Sequence, residues 1–277
     1  LGFLANSSRA ATTRKRQDVE ELARRCVGPG RRGIYPLDED TVMAVSGALK
    51  VAGFRSAELY LNELKLGHVE AKFDIPAWLA RVFAKCRRAL RRGLGPPKKA
   101  KELLFSDIPE DAATSRGQHG REVCHPFRAY VVANRWLLRE IECSNVRLAH
   151  AKFEDTERVA TLHLPVSKTD AGGSGCSRRL RCTCGEAEED RTCPYHVMRS
   201  QVEEVEQLTG TPRTADEAWE QPLFPTAENK IPEKADMVAA WRSLGEQAAE
   251  AGGHSARRSG AKRCAREGWS ILAIQHL

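Results

Sequence analysis

Apolar residues recur at helical spacing through the first third of the chain. Val19, Leu22, Ala23 and Cys26 mark one helix in RAATTRKRQDVEELARRC, and GPGRRG breaks it. LDEDTVMAVSGALKVAG carries acids at its start and Gly53 at its end, as a capped helix does. FRSAELYLNELKLG runs to Gly67, and DIPAWLARVFAKCRRALRRG opens at Asp74 and Pro76 and closes at Gly93. On that fourth segment Trp78, Leu79, Val82, Phe83, Cys86 and Leu90 form an apolar stripe. Arg81, Lys85, Arg88 and Arg92 form a basic one with no acid in it.

After residue 111 the texture changes. The pattern predicts a helix over about 125–143. Alternation in VATLHLPVS (159–167) predicts a strand, and CSRRLRC (176–182) its partner. Helices follow over about 195–208, 234–250, 255–267 and 270–277. The expected class is mainly α with a small β-sheet (α+β). The expected organisation is a helical domain over 1–100, a linker over 101–111 and a second domain over 112–277, with a Cys/His-rich insertion at 176–196. The linker assignment rests on GLGPPKKAKELLFSDIPED, where two prolines and three lysines stand close together.

Composition narrows the function. The chain has 277 residues, 41% hydrophobic and 29% charged, which is a globular balance long enough to bury a core. A net charge of +7 points to a polyanion, and nucleic acid comes first among these. Lys98, Lys99 and Lys101 extend the basic stripe, and the expectation is that all seven side chains track phosphates. The sequence contains no run of about 18 apolar residues, so no membrane span is expected. Nine cysteines, scattered but for one cluster, suggest a reducing compartment rather than a disulfide framework.

That cluster is RCTCGEAEEDRTCPYH. Cys182, Cys184, Cys193 and His196 suit tetrahedral zinc, with Cys-Pro-x-His placing two ligands at a helix start and Cys176 as a substitute for one of them. The alternative is a loop with free thiols. Such a zinc would be structural, since all four of its positions are filled.

Four further basic side chains stand out only by their order. Arg139 lies in WLLREIECSNV with Glu142 at i+3, ordinarily a surface pair worth little. Lys168 lies in PVSKTDAGGSG between two strands. His254 and Arg257, from GGHSARRSG, share one face of a helix start that Ser255 can cap. Arg on a helix, then a hairpin Lys in KTD, then LFP, then GHSARRSGA resembles the order found in tyrosine recombinases, the phage-integrase family. The helical half is similar to that family's core-binding domain.

The resemblance implies a DNA-breaking and rejoining enzyme that closes as a clamp on double-stranded DNA and works through a 3′-phosphotyrosine. It needs no cofactor or metal for catalysis. Arg139 and Arg257 would stabilise charge on the phosphoryl oxygens, His254 would manage the nucleophile's proton, Lys168 would protonate the leaving 5′-oxygen, and Glu142 would support them. It also implies homo-oligomers on DNA and a nuclear or nucleoid location. The family's nucleophilic tyrosine follows the HxxR helix. Here Tyr35, Tyr60, Tyr130 and Tyr195 all precede His254. The expectation is therefore a chain truncated before its nucleophile, which binds DNA without forming the covalent intermediate. Two other readings stay open: a non-catalytic DNA-binding relic of a mobile element, and a zinc-stabilised nucleic-acid interaction module.

Overall fold

The computed structural model describes residues 2–27, 33–96, 100–165, 175–185 and 190–276, the side chains of 2–12 and 276 aside. Its class is α+β, with ten α-helices and one three-stranded sheet among these residues. The chain divides into two compact units, Leu1–Lys98 and Lys99–Leu277. No helix of the described residues is long and apolar enough to cross a membrane.

The first unit holds α1 (Gly2–Val27), α2 (Glu39–Val51), α3 (Ala57–Glu70) and α4 (Ala77–Arg91). Asp38 starts α2 by accepting the Thr41 N–H at 2.8 Å. The core joins Val19 and Ala23 of α1 to Val42, Val45 and Leu49 of α2, Leu61 and Leu64 of α3, and Leu79, Phe83 and Leu90 of α4. Each fully buried side chain of this kind contributes about 1.5–3 kcal/mol. Trp78 is a correction to the predicted apolar stripe: it is 45% exposed. The 100° step of the helix explains this, because Trp78 precedes Arg81 by three residues and falls on the basic face.

The second unit is built around α5 (Pro126–Arg135), which packs against α7 (Pro194–Thr209), α8 (Lys234–Arg242) and α9 (Ser255–Arg266). α6 (Glu140–Asn145) follows α5, and α10 (Ile271–His276) follows α9. Strands β1 (Ala151–Glu154), β2 (Val159–Leu164) and β3 (Cys176–Arg181) form an antiparallel meander in the order β1-β2-β3. Leu162 pairs with Ala151 on one side and Arg178 on the other, and Leu164 pairs with Cys176.

Three expectations are corrected here. Residues 101–111 are not a linker. Leu103 and Ile108 are buried in the second core, and the Leu103 N–H donates to Ser259 Oγ of α9 at 3.0 Å. Glu102 pairs with Lys262 and Arg266 of the same helix. The single helix over 125–143 is two helices with a break between them. The helix over 234–250 stops at Arg242, and a separate turn follows at Glu246–Ala248.

The break after α5 has a definite form. Leu137 takes a left-handed conformation (φ 53°), the Leu138 N–H donates to Ala133 O at 2.8 Å, and the Leu137 N–H to Asn134 O at 3.4 Å. This is a Schellman termination with leucine where glycine is usual. It turns the chain so that α6 begins at Glu140. Helix α9 crosses α5 at Gly260, where a Cβ would lie 2.0 Å from Asn134 O.

Candidate nucleic-acid interface

The site forms where the start of α6 meets the start of α9. The Glu140 N–H donates to Gly253 O at 3.3 Å. A Cβ at Gly253 would lie 2.4 Å from the Glu140 carboxyl carbon, so a larger residue there would displace that carboxylate. Arg139 is the N-cap of α6, and Glu142 reaches back to accept its N–H at Oε2, 2.8 Å away. The same carboxylate accepts from Arg139 Nη1 at Oε1, 2.7 Å away. Arg257, in the first turn of α9, brings Nη1 within 3.6 Å of Glu142 Oε2 and donates to Leu137 O at 2.9 Å. One buried carboxylate therefore sits against two guanidiniums, whose side chains stay 17% and 32% exposed.

A third arginine joins them, and sequence reasoning missed it. Arg178 lies on the inward face of β3 between Cys176 and Leu180. It donates from Nη1 to Trp136 O, and its own carbonyl accepts from Trp136 Nε1 at 3.1 Å. Its Nε is buried without a partner among the described residues. Burial lowers the pKa of Arg178, Glu142 opposes the shift, and Arg139 adds to it. Burial likewise lowers Arg257, with Glu142 opposing and both Arg139 and Arg178 adding to the fall. The signal in CSRRLR was alternation: an arginine at the position where Cys176 and Leu180 mark the buried face.

His254 is the N-cap of α9 and exposed, and its ring makes no hydrogen bond or ion pair among the described residues. It stands one helical turn before Arg257. Ser255 does not cap the helix as expected. It is buried, and its Oγ accepts the Gly252 N–H at 2.9 Å, closing the turn before α9. Lys168 falls in the β2–β3 connection, outside the described residues. Tyr130 and Tyr195 are held away from the cluster, with their hydroxyls on Leu103 O and Asp155 Oδ1.

In the first unit, Arg81, Lys85, Arg88 and Arg92 are all exposed, and none forms an ion pair among the described residues. Lys98 and Lys99 are outside the described residues, and Lys101 is half-buried at the start of the second unit.

The structure also brings Cys182, Cys184, Cys193 and His196 together, with their ligand atoms all within 4.8 Å of one another. Cys193 is the N-cap of α7 and Pro194 its first residue. Cys176, the suggested substitute, is not part of the group.

No protein-family profile matches this chain, and no curated protein matches it. Among solved structures, a XerA recombinase is similar over 85% of this chain and 72% of that one, at 15% identity and a TM-score of 0.34.

Proposed function

We propose that the second unit binds a backbone phosphate of double-stranded DNA in the manner of a tyrosine recombinase. The observation that carries this reading is the sharing of Glu142 by Arg139 and Arg257, with Arg178 alongside. Among the described residues, Glu142 acts on Arg257 with one negative charge, against the two guanidiniums of Arg139 and Arg178. The remaining positive charge, on partly exposed arginines that cannot deprotonate, calls for an anion. Guanidinium forks match two phosphate oxygens at once, and the α9 start adds its helix dipole. The basic face of α4 would follow neighbouring phosphates.

The full reaction of such a site is transesterification. A tyrosine oxygen bonds to phosphorus, the P–O5′ bond breaks, and the energy of the phosphodiester is kept in the 3′-phosphotyrosyl link. Arg139 and Arg257 would hold the charge that gathers on the non-bridging oxygens. His254 would take the tyrosine's proton, and Lys168 would give one to the leaving 5′-oxygen. Tyr130 and Tyr195 of the second unit hold their hydroxyls on Leu103 O and Asp155 Oδ1, so neither is expected to become linked to DNA at this site.

Two measurements test this. In fluorescence-polarisation titrations with duplex DNA, R139A and R257A each weaken binding about tenfold, as expected when one charge-assisted hydrogen bond is removed. Unchanged affinity and salt dependence in the double variant would overturn the reading. A nicked suicide substrate gives no adduct stable to boiling in detergent. An adduct would instead identify a nucleophile among the four tyrosines.

A further inference from the structure

We propose that Cys182, Cys184, Cys193 and His196 form a structural zinc site that fastens the end of β3 to the start of α7. This goes beyond the DNA-binding reading and does not depend on it. Zn–S bonds of about 2.3 Å and Zn–N bonds of about 2.0 Å in a tetrahedron put sulfurs about 3.7 Å apart and sulfur and nitrogen about 3.5 Å apart. Here Cys182 and Cys193 Sγ are 3.6 Å apart, and His196 Nδ1 lies 3.2 Å from Cys184 Sγ and 3.9 Å from Cys182 Sγ. These three distances are close to those of a zinc tetrahedron, and all four donors lie within 4.8 Å of one another.

A second observation is independent of spacing. Each of the three sulfurs faces a backbone N–H. The Cys184 N–H points to Cys182 Sγ at 3.4 Å, the Asp190 N–H to Cys184 Sγ at 3.2 Å, and the Thr183 N–H to Cys193 Sγ at 3.4 Å. Donors aimed at sulfur stabilise thiolates, the form that binds metal. Three thiolates and a neutral imidazole around Zn²⁺ leave one net negative charge. The buried Arg135 guanidinium, 3.6 Å from the Asp190 carboxylate, is bonded to Thr192 O at 2.8 Å and Thr192 Oγ1 at 2.9 Å, one residue before Cys193. Three soft sulfurs and one imidazole select zinc over the hard, oxygen-loving cations.

The position gives the site its purpose. Cys182 directly follows β3, and its N–H donates to Arg158 O at 2.8 Å in the turn before β2. Cys193 and His196 occupy the first turn of α7. A metal here would fix one end of the strand that carries Arg178. Through Thr192 and Arg135, it would also fix the end of α5.

The test uses the whole chain, purified with reductant and without chelator. Metal analysis is expected to find about one zinc per chain, as one Cys₃His site requires. Replacing zinc with Co²⁺ should give the thiolate-to-cobalt and d–d absorption bands of a tetrahedral thiolate-rich site, a readout that needs no variant. C193S and H196A should each drop zinc well below one per chain, while C86S and C143S keep it. Removing zinc with a chelator should lower Tm by at least about 5 °C. Metal content well below one in the wild-type chain, cobalt bands of an octahedral site, or a Cys182–Cys193 disulfide in the freshly purified protein would each overturn the proposal.

Discussion

Glu142 does two jobs with one carboxylate. It caps α6 through the Arg139 N–H and holds Arg139 and Arg257 near each other. E142Q keeps an oxygen for the N–H and loses the charge. Stability is therefore expected to fall by about 1–3 kcal/mol, the worth of a hydrogen bond to a charged group. Phosphate in the buffer should restore part of that loss, because an anion can replace the missing charge. Thermal melts of E142Q with and without phosphate check both parts, and equal melts would mean that the arginines do not need the charge. A second residue makes stability depend on pH. His150 is buried, and its Nδ1 accepts the Arg147 N–H at 3.0 Å. Burial first, then His163 and Arg147, lower its pKa to about 4. The unfolded value is about 6.5, so as the pH falls the unfolded chain takes up this proton first. The stability that neutral His150 contributes is complete above pH ~6.5 and is lost between ~6.5 and ~4, up to about 3 kcal/mol. H150N can accept the same N–H and does not titrate. Denaturant curves at pH 7.5, 6 and 5 should fall less steeply for it than for the parent chain. Arg139, Glu142 and Arg257 were legible because their order in the chain resembles that of tyrosine recombinases. Arg178 escaped because an inward arginine on a strand has no motif, and only the alternation around it shows the face.

At the scale of elements, the sequence marked most helices because their apolar stripes are strong, as on α4. It failed at the α5–α6 break, since a Schellman turn built on Leu137 lacks the glycine that ordinarily signals a helix end. The hydrophobic run WLL simply reads on as helix. β1 was missed because AKFE is four residues long, too short for alternation to register. The segment 101–111 was misread because its lysines and prolines look like a linker, while Leu103 and Ile108, spaced too irregularly to suggest an element, do the packing. Helices α5 and α9 approach closely at Gly260. G260A would press a methyl group onto Asn134 O and push α9 outward. The cost is about 1–3 kcal/mol, that of an overpacked core position. Because Gly260 lies one turn after Arg257, DNA affinity should fall along with Tm. Loss of stability with wild-type affinity at low temperature would separate the α5–α9 crossing from the site.

Across the whole molecule, charge is distributed with a purpose that composition alone only suggests. A net charge of +7 could be spread evenly. Instead, four of the positive side chains line one exposed face of α4 with Trp78 at its head, and three guanidiniums gather around Glu142 in the second unit. An aromatic ring beside a basic row suits contact with sugar and base edges as well as phosphates. Binding should be strongly salt-dependent. Replacing Arg81, Lys85 and Arg88 by alanine should reduce the slope of log K against log salt by about 0.9 for each phosphate that is no longer neutralised. R139A/R257A should reduce it further, since the two sets belong to different units. Titrations at several salt concentrations measure these slopes directly. A triple variant with the parent slope would remove α4 from the interface.

The arginines of the site lean on main-chain oxygens: Arg178 on Trp136 O and Arg257 on Leu137 O. Both carbonyls belong to the main chain, while the buried Trp136 side chain adds a bond of its own from Nε1 to Arg178 O. What the anchor depends on is the count of peptide units between the end of α5 and Glu142. Adding or deleting one residue between Arg135 and Arg139 would swing both oxygens away and unseat two guanidiniums together. Among descendants of this sequence, strict conservation of the length of that stretch is the pattern the anchor would leave.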